Sequence, residues 1–159
     1  MIRFVREYDQ VRMERVRPAA EAGSPYCYRL DRAPFRLEVA EADVVLQAHV
    51  LEADADADYE LPRNAYQLWL DLDQVLFPLY VRNRKHGDRM QVAGLNGSKK
   101  VKNIFIDDKL PPSLRRRIPI MTDRRGKILW IPGVRRSKLA FVRPSTRHIL
   151  QIICTPFIT

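Results

Sequence analysis

Residues 82–109 read R-N-R-K-H-G-D-R-M-Q-V-A-G-L-N-G-S-K-K-V-K-N-I-F-I-D-D-K, and this stretch decides how the rest of the chain is understood. Gly94 and Gly97 punctuate a loop, and Ser98 follows as an expected N-cap whose hydroxyl would accept a free amide of the first helical turn. From there Val101, Ile104, Phe105 and Asp108 recur at spacings of three and four, so the apolar members predict a short core-facing helical stripe. Lys99, Lys100 and Lys102 are expected in or beside the first turn. Lysine there opposes the helix dipole in the free protein and favours a bound anion. The plainer alternative is a solvated basic turn.

Charge divides along the chain. Residues 1–77 carry nine Arg and no Lys against fifteen Asp and Glu, a net of −6, whereas residues 78–159 carry nineteen Lys and Arg against Asp88, Asp107, Asp108 and Asp123, a net of +15. The two halves are therefore expected to do different work, and the basic half has the field to attract a polyanion. A membrane surface competes for that role, but no amphipathic helix with exposed aromatics supports it. No apolar run approaches the ~20 residues of a membrane span, and Met1-Ile2-Arg3-Phe4-Val5-Arg6 is not a signal peptide. Cys27 and Cys154 lie far apart and belong to no C-x-x-C pair; they read as buried or idle thiols of a reducing cytoplasm, with a disulfide as the lesser alternative.

Outward from the basic stretch, alternation predicts strands at 2–6, 11–16, 26–30, 35–39 and 44–51, with His49 facing solvent or a polar edge. Asp54, Asp56 and Asp58 begin like a calcium loop, but its required Gly and Glu positions hold Tyr59 and Ala65, so the segment reads as an exposed acidic loop. Strands follow at 65–70 and 79–82 with a helical bend at 72–76. Downstream, Pro111-Pro112 ends one helix and opens a short turn displaying Arg115, Arg116 and Arg117. Asp123-Arg124-Arg125-Gly126 is a hairpin turn. Strands are expected at 127–131, 139–142 and 149–154, with Arg135, Arg136 and Lys138 on a loop. The fold class is α+β: a β-rich acidic lobe over residues 1–76, then a small α/β-like basic lobe over 77–159. No catalytic or metal-binding constellation emerges. G-L-N-G-S-K-K is not a phosphate loop, no Cys/His spacing suits zinc, and Asp88 in G-D-R reads as a structural partner for an arginine.

The motifs G-D-R-M, G-L-N-G-S-K-K-V-K-N-I-F-I-D-D-K-L-P, R-R-R-I-P and D-R-R-G-K-I-L-W-I-P-G are long and ordered. From about Phe77 onward the chain resembles the C-terminal domain of tRNA(Ile)-lysidine synthetases. One departure is Asn103, where many members have Asp. The resemblance implies an α/β lobe similar to one in the phenylalanyl-tRNA synthetase beta subunit. It implies a cytoplasmic parent enzyme, an ATP-dependent carbon–nitrogen ligase that uses ATP with magnesium to join lysine to the anticodon cytidine of a minor tRNA(Ile). The family's S-G-G-x-D-S loop, in an N-terminal catalytic domain, matches nothing in these residues, so the chain is expected to be inactive alone and to bind no cofactor. Its implied partners are tRNA, held at the acceptor stem or backbone, and the missing catalytic domain; a homodimer stays open. The expected tRNA-facing residues are Arg82, Arg84, Arg89, Ser98, Lys99, Lys100, Lys102, Arg115 and Arg116. Two other readings use the same residues: a free-standing nucleic-acid-binding protein, and a small enzyme holding a phosphorylated ligand at the Ser98 helix end.

Overall fold

The computed structural model describes residues 24–54 and 61–156. The strands expected at 2–6 and 11–16, and most of the acidic 54–60 loop, lie outside the described residues. Eleven strands are described: β1 (Cys27–Leu30), β2 (Phe35–Val39), β3 (Val44–Glu52), β4 (Gln67–Asp71), β5 (Leu79–Arg82), β6 (Arg89–Met90), β7 (Lys99–Lys100), β8 (Ile120–Thr122), β9 (Ile128–Ile131), β10 (Arg135–Arg136) and β11 (His148–Pro156). Two short helices join them, α1 (Val101–Asp107) and α2 (Pro112–Arg115), the latter opened by a proline whose missing amide proton costs nothing in a first turn.

The strands form a sheet ordered β1-β5-β8-β9-β10, a second ordered β2-β3-β11-β4, and a two-stranded ribbon β6-β7. Every described pairing between strands is antiparallel, as an α+β fold requires. The five-stranded sheet is the middle layer. One of its faces packs on the four-stranded sheet around Leu46, Leu68, Leu70, Val81, Met121, Trp130, Leu150 and Ile152. The other packs on α1 and the ribbon around Met90, Val101, Ile104, Phe105, Ile120, Ile128 and Ile131. Because both faces are covered, β9 is apolar throughout, and all four of its residues are buried.

A bulge lets β9 serve both cores. Met121 pairs with Trp130 and Thr122 with Ile128, so Leu129 is an extra residue opposite no partner. That insertion turns Leu129 and Trp130 into the same core while Ile128 and Ile131 face the other. In β11, by contrast, Leu150, Ile152 and Cys154 alternate into one core, as a sheet covered on one side demands. His49, in β3, is exposed, as expected.

The strands expected at 26–30, 35–39, 44–51, 79–82, 127–131 and 149–154 are present within a few residues. Two local expectations fail. Arg135 and Arg136 are not loop residues but pair with Ile131 and Trp130 as an edge strand. Residues 139–142 form no strand: Ala140 has φ +54°, and its carbonyl accepts from the Asp71 amide at 2.8 Å. The boundary drawn at 76/77 falls between β4 and β5, yet both large sheets take strands from either side of it, β1 beside β5 and β11 between β3 and β4. The charge division thus runs along the sequence and not between separately packed layers.

Cys27 is exposed and Cys154 buried, both as free thiols, and burial pushes the Cys154 thiol up to about 11. A thiol shifted upward holds less thiolate, the reactive species, at any pH below that value. At pH 8 Ellman's reagent is therefore expected to titrate Cys27 promptly in the native chain and Cys154 only after denaturant is added; prompt reaction of both would contradict this burial.

Candidate nucleic-acid interface

The basic stretch leaves β5 at Arg82, which is buried. Its guanidinium donates to both carboxylate oxygens of Asp88, at 2.9 and 3.0 Å, and to the Asn83 carbonyl at 3.1 Å. Asp88 also accepts from the Lys85 amide at 2.8 Å, closing the 84–87 loop over the pair. The Asp88 carbonyl accepts from the Val101 amide at 2.9 Å and so holds the start of α1. Asp88 is the arginine partner that the sequence suggested. Arg82, expected to face tRNA, is instead enclosed, and its charge is consumed inside the fold.

Asn83 supports the same loop from below. It donates through Nδ2 to the carbonyls of Ser24 and Arg116, both at 3.1 Å, and accepts from the Tyr26 amide at 3.2 Å. The result is a cleft of about 240 Å³ lined by Arg84, Lys85, His86, Asp88, Lys100 and Lys102. Arg84, Lys85, Lys100 and Lys102 are exposed, and none of the four pairs with a carboxylate among the described residues. Asp88, the acid in the wall, is already neutralised by Arg82. Cations held together without counter-ions are the arrangement that a polyanion relieves.

The other expected residues divide. Arg89, exposed and opposite Lys100 in the ribbon, donates Nε to the Ser98 hydroxyl at 2.9 Å. Ser98 is thus not the N-cap; Lys100 occupies that position, with no side-chain cap, and Lys99 and Lys100 are strand residues before the helix. With only seven residues in α1 and the Val101 amide already bonded, the helix end offers no built anion seat. The expectation of Ser98 as the N-cap is corrected on that geometry. Lys99 is half-buried and ion-paired with Asp107. Arg115 donates Nε to the Leu110 carbonyl at 2.6 Å. Arg117 reaches the Glu41 carbonyl at 2.9 Å and the Asp43 carboxylate at 2.7 Å, fastening the second helical turn to the acidic half. Arg116 alone of the three arginines is exposed.

The structure therefore gathers Arg84, Lys100 and Lys102, with Arg89 and Arg116 at the margins, and withdraws Arg82, Lys99 and Arg115. Lys85 and His86 were missed as members of the cleft. Their signal was position: both sit in a loop pinned at each end by the Arg82–Asp88 pair. No cluster of three or more His, Cys, Asp or Glu suited to a metal ion occurs among the described residues.

Residues 79–153 match the family model described as the TilS substrate C-terminal domain. The tRNA(Ile)-lysidine synthase of Bacillus licheniformis is 59% identical over 64 residues, covering 40% of this chain and 13% of that protein. That of Bacillus subtilis is 40% identical over 114 residues, covering 69% of this chain and 24% of that protein. A bifunctional protein TilS/HprT of Listeria monocytogenes is 50% identical over 84 residues, 53% of this chain and 13% of that protein. The chain thus spans a quarter or less of the length of these relatives. A crystal structure of a TilS C-terminal domain superposes with a TM-score of 0.70 at 28% identity, covering 84% of this chain and 100% of that one. An N-terminal fragment of the phenylalanyl-tRNA synthetase beta subunit from Pyrococcus horikoshii shares the fold, with a TM-score of 0.50 at 15% identity over 58% of this chain and 28% of that one.

The geometry separates cations that hold the fold from cations that face water. With only 10% and 12% of the Arg82 and Asp88 side chains exposed, Arg82→Ala strands a buried carboxylate and is expected to cost roughly 3–5 kcal/mol. Lys100→Ala, at an exposed site, should stay within about 0.5 kcal/mol. Urea unfolding of the two variants measures the difference, and equal midpoints would refute the distinction.

Proposed function

We propose, on the premise that residues 79–153 belong to the family of TilS substrate C-terminal domains, that this chain holds tRNA by its backbone for a tRNA(Ile)-lysidine synthase and takes no part in bond making. The observation that carries the proposal is the coincidence of that family match with a cleft of four exposed cations lacking carboxylate partners among the described residues. An RNA stem buries its base edges in a deep, narrow major groove and presents phosphates and 2′-hydroxyls outward. Contacts from Arg84, Lys85, Lys100 and Lys102 to such a surface would fix position and register and read no sequence.

In this proposal the parent protein joins lysine to the anticodon cytidine of a minor tRNA(Ile). ATP and magnesium belong to its ATP-pyrophosphatase domain. The basic cleft contributes by keeping a bound tRNA from sliding, so that the anticodon lies at a fixed distance from the chemistry. A cytoplasmic location goes with this role. The exposed members of the face are Arg84, Lys85, Arg89, Lys100, Lys102 and Arg116; Arg82, Lys99 and Arg115 are already engaged with partners of the fold.

Two outcomes test the proposal. The 159-residue chain, supplied with ATP, lysine and tRNA, is expected to form no lysidine while still binding the tRNA. The variant carrying Arg84→Ala, Lys100→Ala and Lys102→Ala, folded by circular dichroism, should bind more weakly. Its log-affinity against log-salt slope should be flatter by about three units, one for each cation withdrawn from a phosphate. An unchanged slope would reduce these charges to solubility and remove the cleft from the interface.

A further inference from the structure

A second recess lies where the two large sheets meet edge to edge. Strand β4 is the outer strand of one sheet and β10 the outer strand of the other. An open edge exposes unpaired backbone groups, and here they are covered from the side. Arg136, in β10, donates to the Trp69 carbonyl of β4 at 3.1 Å, and the Asp71 amide donates to Ala140 at 2.8 Å. The recess left beside this seam has a volume of about 370 Å³, and Arg63, Asn64, Trp69, Arg135, Arg136 and Phe141 are among the residues that line it. That volume falls within the range of small-ligand sites, roughly 300–1,000 Å³.

Its chemistry is specific. The Arg136 guanidinium lies over the face of the Phe141 ring, 4.4 Å from its centre, so cation and ring form a stacked pair at the recess. Arg136 spends three donors on the carbonyls of Trp69, Ser137 and Leu139 and pairs with no carboxylate among the described residues. A guanidinium has five N–H donors, so two are left over. Burial pulls this guanidinium down to about 10, below its ordinary range but above any physiological pH, so it remains a partly desolvated cation. Arg63, at the mouth, is exposed and has no ion pair among the described residues. Arg135 is the member of the cluster already held, by Asp108 at 2.8 Å. A stacked cation–aromatic pair with the exposed Arg63 beside it matches a group that is flat on one side and anionic on the other. Aromatic rings and guanidinium planes stack unpaired bases in this way.

We propose that the recess between the β4 and β10 edges receives one unpaired nucleobase of a bound RNA, stacked against the Phe141–Arg136 pair with its phosphate toward Arg63. The proposal rests on the tRNA-holding reading above and extends it: the Arg84–Lys102 cleft takes a paired stem, and this recess takes a nucleotide that has left the stack.

The test compares two RNA hairpins with the same stem, one blunt and one ending in a single-stranded tail of several nucleotides, binding to the full 159-residue chain. The tailed hairpin is expected to bind about tenfold more tightly, the increment of one stacked base. Phe141→Leu, which keeps apolar bulk and removes the aromatic face, should erase that advantage and leave the blunt hairpin's affinity unchanged. Arg63→Ala, at an exposed position, should reduce the advantage several-fold. A 2-aminopurine placed in the tail should be quenched on binding the unmodified chain. Should Phe141→Leu fail to fold, Arg63→Ala and the 2-aminopurine signal decide the question. Equal binding of the two hairpins, or a tail advantage that survives Phe141→Leu, overturns the recess while leaving the cleft intact. Binding of neither hairpin overturns both.

Discussion

A guanidinium nine-tenths withdrawn from water must keep a carboxylate beside it, and that requirement organises the basic half of the molecule. Arg82 meets it with Asp88, and Asp88 is then unable to move. Its carboxylate also receives the Lys85 amide and its carbonyl the Val101 amide, so one residue fixes β5, the 84–87 loop and the start of α1 together. The exposed cations on that loop and helix gain a defined spacing without spending their own charge on it. Arginine suits the buried position because its fork engages both carboxylate oxygens at once, which a lysine cannot do. The expensive ion pair lies beneath the surface, and the cations above it stay exposed, with no carboxylate partner among the described residues.

The bulge at Leu129 has a comparable role in the middle layer. A strictly alternating β9 would send Leu129 and Trp130 to opposite faces. The extra residue instead directs both to the inter-sheet core, and the Trp130 indole donates to the Ala65 carbonyl at 3.2 Å. Ala65 also accepts from the Gly133 amide at 2.7 Å, at a turn where φ is +79° and an added Cβ would approach the Tyr66 ring to 2.7 Å. The segment leading into β4 is thereby stitched to the β9–β10 turn, and the seam beside the aromatic recess inherits its shape from that stitch.

The residues themselves made much of this legible. Alternation located β2 and β3, and the three-and-four spacing of Val101, Ile104 and Phe105 named the buried side of α1 correctly. These signals are local: a side chain's face follows from its neighbours in sequence. Partnership is not local, and there the reading faltered. Ser98 has the chemistry of an N-cap, but Arg89 takes its hydroxyl from across the ribbon. Arg82 and Arg84 are equivalent as letters, and only pairing with a residue six positions on separates the buried one from the exposed one. The missing strand at 139–142 has the same origin, since Ala140 turns to meet an amide from β4, an interaction without local signature. Motif order pointed to the TilS substrate C-terminal domain, whose model residues 79–153 match, where charge counting pointed only to some polyanion.

The placement of β11 bears on how such a chain leaves the ribosome. It is the last described strand to be made, yet it is an inner strand of its sheet, paired along Val44–Glu52 of β3 on one side and Gln67–Asp71 of β4 on the other. Until His148–Pro156 emerges, β3 and β4 each present an open edge, and Leu46, Ala48, Leu68 and Leu70 lack the apolar strand that will lie between them. The five-stranded sheet can assemble earlier, because β1, β5, β8, β9 and β10 all precede residue 137. Synthesis therefore passes through an interval in which one sheet is complete and the other waits for its keystone. During that interval a nascent chain is most exposed to mispairing with its neighbours on a polysome.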